Sequence, residues 1–139
     1  MIALVLDASI TLCWCFEEEA TPQTDRLLDR LMRETAAVPV LWQLEIANVL
    51  ALAERRRRIT VADSCEFIGL VEKLMIDVDQ ETPQRVFGRV LDLARNERLT
   101  AYDAAYLELA MRLGVPLATK DSALRDAAVR LGVSVISTD

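Results

Sequence analysis

The chain has 139 residues, enough for one domain with a hydrophobic core, and 53% of them are hydrophobic, which excludes a disordered chain. It contains no histidine, which excludes Ser-His-Asp and Cys-His catalysis and every His-ligated zinc site. The net charge of −6 argues against a protein that coats nucleic acid, unless a bound divalent cation offsets that charge locally.

The amino-terminal half alternates apolar runs with amphipathic segments. "IALVLD" (Ile2–Asp7) is a continuous apolar run, typical of a central parallel strand, and a short helix through Trp14 follows. "TPQTDRLLDRLMRE" (Thr21–Glu34) begins with the Thr and Pro that are typical of a helix start. "AAVPV" (Ala36–Val40) predicts a second strand. "LWQLEIANVLALAERRRR" (Leu41–Arg58) predicts a helix that is apolar nearly all round and therefore largely buried.

The carboxyl-terminal half continues this alternation of helices and strands. Its predicted elements are helices over Thr60–Leu74, Pro83–Arg95, Leu99–Gly114 and Ser122–Leu131, and strands over Met75–Asp79, Val115–Asp121 and Val133–Ser137. We therefore predict a single α/β domain over residues 1–139, with a central parallel sheet of about five strands and helices on both faces.

The helix Leu99–Gly114 contains a carboxylate that does not fit its apolar pattern. Four residues on one face predict a buried stripe: Tyr102, Tyr106, Leu109 and Leu113. Asp103 lies beside that stripe, where a charge is costly, whereas Glu108 and Arg112 are expected on the solvent side. If Thr100 is the N-cap, Asp103 completes a capping box that contributes about 1 kcal/mol. Taken alone, Asp103 is explained by capping.

Three further carboxylates interrupt apolar elements. Asp7 and Asp121 each end a predicted strand, and the carboxyl ends of parallel strands share one edge, where ligands bind. Each of the two is also a good N-cap for the helix that follows it. Glu45 lies within its helix and has no capping role, so it must pair with an Arg or belong to a shared site. Asn48 lies three residues further on the same face.

A divalent cation would allow these four carboxylates to lie together. Two carboxylates about 4 Å apart repel by about 4 kcal/mol at an effective dielectric constant near 20, which exceeds the contribution of a cap. Mg²⁺ and Mn²⁺ prefer oxygen ligands and retain waters. Such ions hold a phosphodiester and generate hydroxide from water without any histidine.

Four motifs resemble a PIN-domain ribonuclease in order and spacing, and are most similar to VapC toxins of bacterial toxin–antitoxin pairs. They are "VLDAS", the glutamate within "LWQLEIANVL", "LTAYDAAYLELA" and "LATKD". The resemblance covers essentially the whole chain and implies a PIN-like fold. It implies that the catalytic metal ligands, or the residues that orient metal-bound water, are Asp7, Glu45, Asp103 and Asp121. Supporting positions are Ser9 and Thr119, to which we add Asn48 because it shares the face of Glu45.

The resemblance also implies a function and partners. The function is a Mg²⁺- or Mn²⁺-dependent endoribonuclease that inhibits translation and growth, and the partners are RNA, a small cognate antitoxin and often a second copy of the chain. Lys120 and Arg125 are candidates for RNA contact near the site. Asp126 and Asp139 are weaker candidates for the carboxylate site. Asp126 is expected to be an exposed helix residue, and Asp139 is the last residue of the sequence. The chain has no membrane-length apolar run and no signal-like start, so we expect a cytoplasmic protein.

Two alternatives belong to other classes. A receiver-like phosphoacceptor is also an α/β protein that uses Asp and Mg²⁺, but it requires paired acids after the first strand, and "VLDAS" supplies one. A catalytically inactive PIN-like binding module is the other alternative, and the four intact acids argue against it.

Overall fold

The computed structural model describes residues 1–138, so the weak site candidate Asp139 lies outside the described residues. Four parallel strands form one sheet in the order β3-β2-β1-β4. These strands are β1 (Ile2–Leu6), β2 (Thr35–Val38), β3 (Ile76–Val78) and β4 (Leu117–Ala118). In the register of the sheet, Val5 of β1 pairs with Ala37 on one side and with Leu117 on the other.

The predicted fifth strand is present only as a single bridge. Val135 pairs with Leu117 in parallel orientation, and hydrogen bonds to Ser134 and from Ile136 flank this bridge. The neighbouring strand β4 has two residues and is preceded by Pro116, which has no N–H to extend the ladder. The central parallel sheet is confirmed, with four strands.

Every predicted helix forms, and most begin or end at the predicted caps. The helices are α1 (Ala8–Thr11, continued by a 3₁₀ turn Leu12–Trp14), α2 (Pro22–Leu31), α3 (Leu41–Arg55), α4 (Val61–Val71), α5 (Thr82–Arg85, continued by a π-helical turn Val86–Val90), α6 (Leu91–Glu97), α7 (Ala101–Leu113) and α8 (Ser122–Arg130), with a further 3₁₀ turn at Glu17–Glu19. Gly114 ends α7 with a φ of 66°, a left-handed conformation that glycine adopts without strain. None of the helices among residues 1–138 is long and apolar enough to cross a membrane.

Helix α3 is not largely buried, contrary to its apolar composition. It buries one face through Trp42, Ile46, Leu50 and Ala53, whereas Leu44 on the other side is 69% exposed. The helix lies in the outer layer and has a packing partner on one side only, so composition alone overestimates its burial.

Helix α7 is the central helix and is buried on all sides along its middle. It packs against β1, β2 and β4, and every residue of Ala104–Ala110 is buried. The predicted stripe is confirmed at Tyr106 and Leu109 but not at its two ends, because Tyr102 and Leu113 are exposed. Glu108, expected on the solvent side, is also buried; it pairs with Arg112 one turn later.

Candidate functional site

Asp7 occupies a capping position but does not cap. It directly follows β1 and stands at the N-cap of α1, yet its side chain makes no capping hydrogen bond to that helix. Its Oδ2 instead accepts hydrogen bonds from Ser9 Oγ at 2.9 Å and Thr119 Oγ1 at 2.5 Å. The residue is only 4% exposed. The capping explanation therefore does not account for Asp7.

The two hydroxyl groups that bind Asp7 also join the ends of β1 and β4. Ser9 Oγ accepts the N–H of Lys120 at 3.0 Å, and Thr119 Oγ1 accepts the N–H of Asp121 at 3.0 Å. Each hydroxyl thus donates to Asp7 and accepts from the segment that follows β4. This network holds the backbone of Asp121 beside Asp7 at the carboxyl edge of the sheet.

Asp121 does cap the helix that follows it. Its Oδ1 accepts the N–H of Leu124 at 2.9 Å in the first turn of α8. The capping alternative is therefore confirmed for this residue. This hydrogen bond fixes the position of the Asp121 carboxylate at the start of α8.

Glu45 is paired with a tyrosine rather than with an arginine. The side chain is half-buried on α3, and its Oε1 accepts a hydrogen bond from Tyr106 Oη of α7 at 2.7 Å. It forms no ion pair among residues 1–138. Sequence reasoning placed Tyr106 in the apolar stripe and missed this role. The available signal was that a buried tyrosine hydroxyl needs a hydrogen-bond partner, and Glu45 is an acceptor in an apolar helix.

Asp103 lies in the first turn of α7, as its spacing from Thr100 predicts. Thr100 Oγ1 accepts the N–H of Asp103 at 3.1 Å, which confirms Thr100 as the N-cap. The Asp103 side chain is half-buried and lies within electrostatic range of Asp7 and Asp121. The helix start therefore presents this carboxylate towards the same sheet edge.

Three of the four carboxylates have raised pKa values, first because they are buried or half-buried and then because of neighbouring carboxylates. Burial raises the pKa of Asp7, and the charge of Asp121 raises it further. Burial also raises the pKa of Glu45, with added contributions from Asp7 and Asp103. Asp103 reaches a pKa of about 6, through burial first and then the charges of Asp121 and Asp7. No lysine or arginine of the described chain contributes a lowering effect at these three residues.

The donor set suits a hard divalent cation in chemistry and charge. All candidate ligands are carboxylate oxygens, supported by hydroxyl groups, and no histidine or thiolate is involved. As the side chains lie, no three Asp, Glu, Cys or His residues within 1–138 converge closely enough to hold one ion. Binding an ion would therefore draw the carboxylates inwards, and its charge would offset the burial and the mutual repulsion that raise the pKa values of Asp7, Glu45 and Asp103.

The remaining candidates differ in their burial and in their side-chain contacts. Asn48 is exposed on α3, and its side chain makes no hydrogen bond within the described chain. Lys120 is half-buried, and its Nζ donates to the carbonyl of Glu19 at 3.5 Å. Arg125 is half-buried in α8, and Asp126 beside it is exposed, as expected of a solvated helix carboxylate.

Comparison with known proteins gives a family and a fold. The family model described as PIN domain matches residues 4–130. Among solved structures, PAE2754 from Pyrobaculum aerophilum is 24% identical; the match covers 97% of this chain and 84% of that one, with a TM-score of 0.71. At that identity the likeness shows the fold alone. No curated protein matches the chain.

Proposed function

The chain belongs to the PIN domain family, whose members are generally nucleases, and from this premise we propose that it is a divalent-metal-dependent endoribonuclease. We propose further that it is the toxin of a VapC-type toxin–antitoxin pair and acts in the cytoplasm by cleaving RNA needed for translation and growth.

One observation carries the proposal: four buried or half-buried carboxylates lie near one another at the carboxyl edge of the sheet. Asp7, Glu45 and Asp103 all have raised pKa values, and the negative charge of at least one other member of the group contributes to each increase. A cluster of this kind costs folding free energy in the absence of an ion. A metal-binding function explains why the chain retains it.

The chain's own residues have distinct tasks in this mechanism. A bound Mg²⁺ or Mn²⁺ supplies Lewis-acid activation of the scissile phosphate and of the attacking water. Asp7 is held in one orientation by Ser9 and Thr119, and Glu45 is held by Tyr106. Asp103 and Asp121 add negative charge that favours a dication. Half-burial of Glu45 and Asp103 limits water around the reacting groups and strengthens these interactions.

The decisive experiment is cleavage of a mixed RNA pool by the purified chain, with and without Mg²⁺ or Mn²⁺, followed by mapping of the cut ends. Cleavage should stop in chelator and resume when either ion is added. Addition of the ion should also raise the melting temperature, because it binds the folded state alone. Full cleavage in excess chelator contradicts the proposal.

Two control measurements address the alternatives. Incubation with a small phosphodonor should leave Asp7 unmodified, whereas a receiver-like phosphoacceptor would become phosphorylated there. A binding module without activity would retain RNA on a filter but leave it intact at every metal concentration.

A nuclease of this kind requires an inhibitor in its own cell, and we propose a small antitoxin that places a basic residue among the carboxylates. The uncompensated negative charge at Asp7, Glu45 and Asp103 provides an attractive target for such a residue. The free toxin is proposed to be a homodimer. Expression of the chain alone should arrest growth, and co-expression with the protein encoded beside it should restore growth and give a stable complex. Active protein that leaves growth unaffected contradicts the toxin role.

A further inference from the structure

Tyr102 is an exposed aromatic residue beside the carboxylates. All seven aromatic residues lie within the described part of the chain, and only Tyr102 and Phe87 are exposed, at 67% and 91%. Within residues 1–138, the side chain of Tyr102 makes no hydrogen bond. An isolated exposed ring is ordinary on a protein surface, so the position of Tyr102, and not its exposure, is the informative feature.

The helical geometry places Tyr102 at the entrance to the site. It immediately precedes Asp103 in the first turn of α7. Tyr106, four residues later, lies on the same face of the helix, and its hydroxyl donates to Glu45 at 2.7 Å. Tyr102 therefore lies one turn nearer the helix start on the side that faces Glu45. Because helical side chains lean towards the amino terminus, its ring extends towards the sheet edge that carries the carboxylates.

We propose that Tyr102 is a substrate-positioning residue on which a nucleobase next to the scissile phosphate stacks. The inference rests on the proposed endoribonuclease function. A net charge of −6 leaves the chain poorly suited to hold RNA through many phosphate contacts. An uncharged ring binds a base without added cations, and it accepts every base because each has a π-face. Stacking would hold the strand beside the carboxylates that would bind the ion.

Three variants test this role through cleavage kinetics. Tyr102→Ala should raise KM for RNA by about 5- to 150-fold, the range expected for loss of one stacked base, and change kcat little. Tyr102→Phe keeps the ring and should retain the original KM. Phe87→Ala is the matched control, because it removes the other exposed ring at a place away from Asp103. Its neighbour Arg89 contacts Met111, which lies two turns further along α7 than Asp103. Since both aromatic positions are exposed, all three variants should keep the melting temperature.

A binding measurement separates this inference from the proposed function. Single-stranded RNA carrying 2-aminopurine is titrated with Asp7→Asn protein, in which cleavage is not expected. Stacking on Tyr102 should quench the fluorescence, and Tyr102→Ala in the same background should remove that quenching, while Phe87→Ala should not. Quenching without any cleavage by the unaltered chain would contradict the nuclease function but support the stacking role.

Several outcomes would overturn the stacking role. Unchanged KM and unchanged quenching in Tyr102→Ala would do so, and so would an equal loss in Phe87→Ala. Loss of a co-purifying antitoxin from Tyr102→Ala, with unchanged RNA binding, would assign the exposed ring to a protein interface instead.

Discussion

Asp79 and Asp7 occupy equivalent positions in the sheet but opposite electrostatic environments. Each directly follows a parallel strand, Asp79 after β3 and Asp7 after β1. Arg112 donates to both carboxylate oxygens of Asp79, at 3.0 and 2.8 Å, and these bonds lower its pKa to about 2. Asp7 receives hydrogen bonds from hydroxyl groups, and burial raises its pKa.

The comparison extends to the two groups of carboxylates around these residues. Arg112 also donates to both oxygens of Glu108, which is 2% exposed, and to the exposed Glu81 at 3.0 Å, so it serves three carboxylates at once. We call this group, Asp79, Glu108 and Arg112, the paired cluster. The unpaired cluster is Asp7, Glu45, Asp103 and Asp121. The paired cluster contributes to the fold, whereas the unpaired cluster is stabilised only when a cation binds it.

Removal of the shared arginine should produce the largest change in stability. Arg112→Met leaves Asp79 and Glu108 without their main cation in a largely buried place, and this should lower the free energy of unfolding by about 3–5 kcal/mol. Urea denaturation measures the loss. Arg95→Met is the control, because the Arg95–Asp92 pair is exposed and should contribute nothing measurable. Equal effects of the two substitutions would contradict a structural role for the paired cluster.

Removal of a charge from the unpaired cluster should affect activity rather than stability. Asp103→Asn should lower cleavage by more than about 100-fold, since even outer residues of a metal site contribute about 10–100-fold. The metal-free fold should be as stable or more stable, because one repelling charge is gone. Asp126→Asn, on the exposed side of α8, should change neither quantity. A variant that melts lower without metal yet cleaves RNA normally would show that Asp103 is only a capping-box residue.

The two clusters should respond to acid with opposite signs. The folded pKa of Asp79, about 2, lies below its ordinary value of 3.8, so its stabilisation is complete above pH 4 and is lost as pH falls towards 2. The loss amounts to about 2 kcal/mol. Arg112→Met should abolish this slope in a melting-temperature series measured between pH 2 and pH 4.

For Asp103 the folded pKa of about 6 lies above 3.8, so folding is favoured at low pH and stability falls as pH rises through 6. The side chain is half exposed, and screening by water reduces the expected loss to about 1–2 kcal/mol between pH 4 and pH 7. Melting in chelator should show this decline, and Asp103→Asn should flatten it. If the melting temperature of Asp103→Asn still falls by the same amount between pH 4 and pH 7, Asp103 is not the group whose ionisation destabilises the fold.

The smallest effect is expected from the hydroxyl that orients Glu45. Tyr106→Phe removes one hydrogen bond at 2.7 Å and should cost about 1 kcal/mol of stability. The Mg²⁺ concentration needed for half-maximal cleavage should rise about 10-fold, because Glu45 loses its orienting partner. Tyr102→Phe is the matched control, since that hydroxyl has no partner within residues 1–138. An unchanged Mg²⁺ requirement in Tyr106→Phe would indicate that Glu45 does not take part in binding the metal ion.

Local sequence signals predicted most of the fold. Continuous apolar runs marked β1 and β2, and Thr21, Thr100 and Gly114 marked helix ends where the structure has them. These signals succeed because capping and strand burial depend on neighbours within a few residues. The burial of α3 was overestimated, because the number of layers packed on a helix is not encoded in its own composition.

The sequence by itself determined the fold class, the helix and strand order, and which carboxylates interrupt apolar elements. Only the tertiary structure decided how each of them is paired. Asp7 and Asp79 directly follow strands, and Asp121 lies three residues after β4, yet Asp7 binds hydroxyls, Asp79 binds Arg112 and Asp121 caps a helix. The partners Thr119 and Arg112 lie 112 and 33 residues away along the chain. Charge compensation depends on distances of a few ångströms between such residues, and only the packed chain sets those distances.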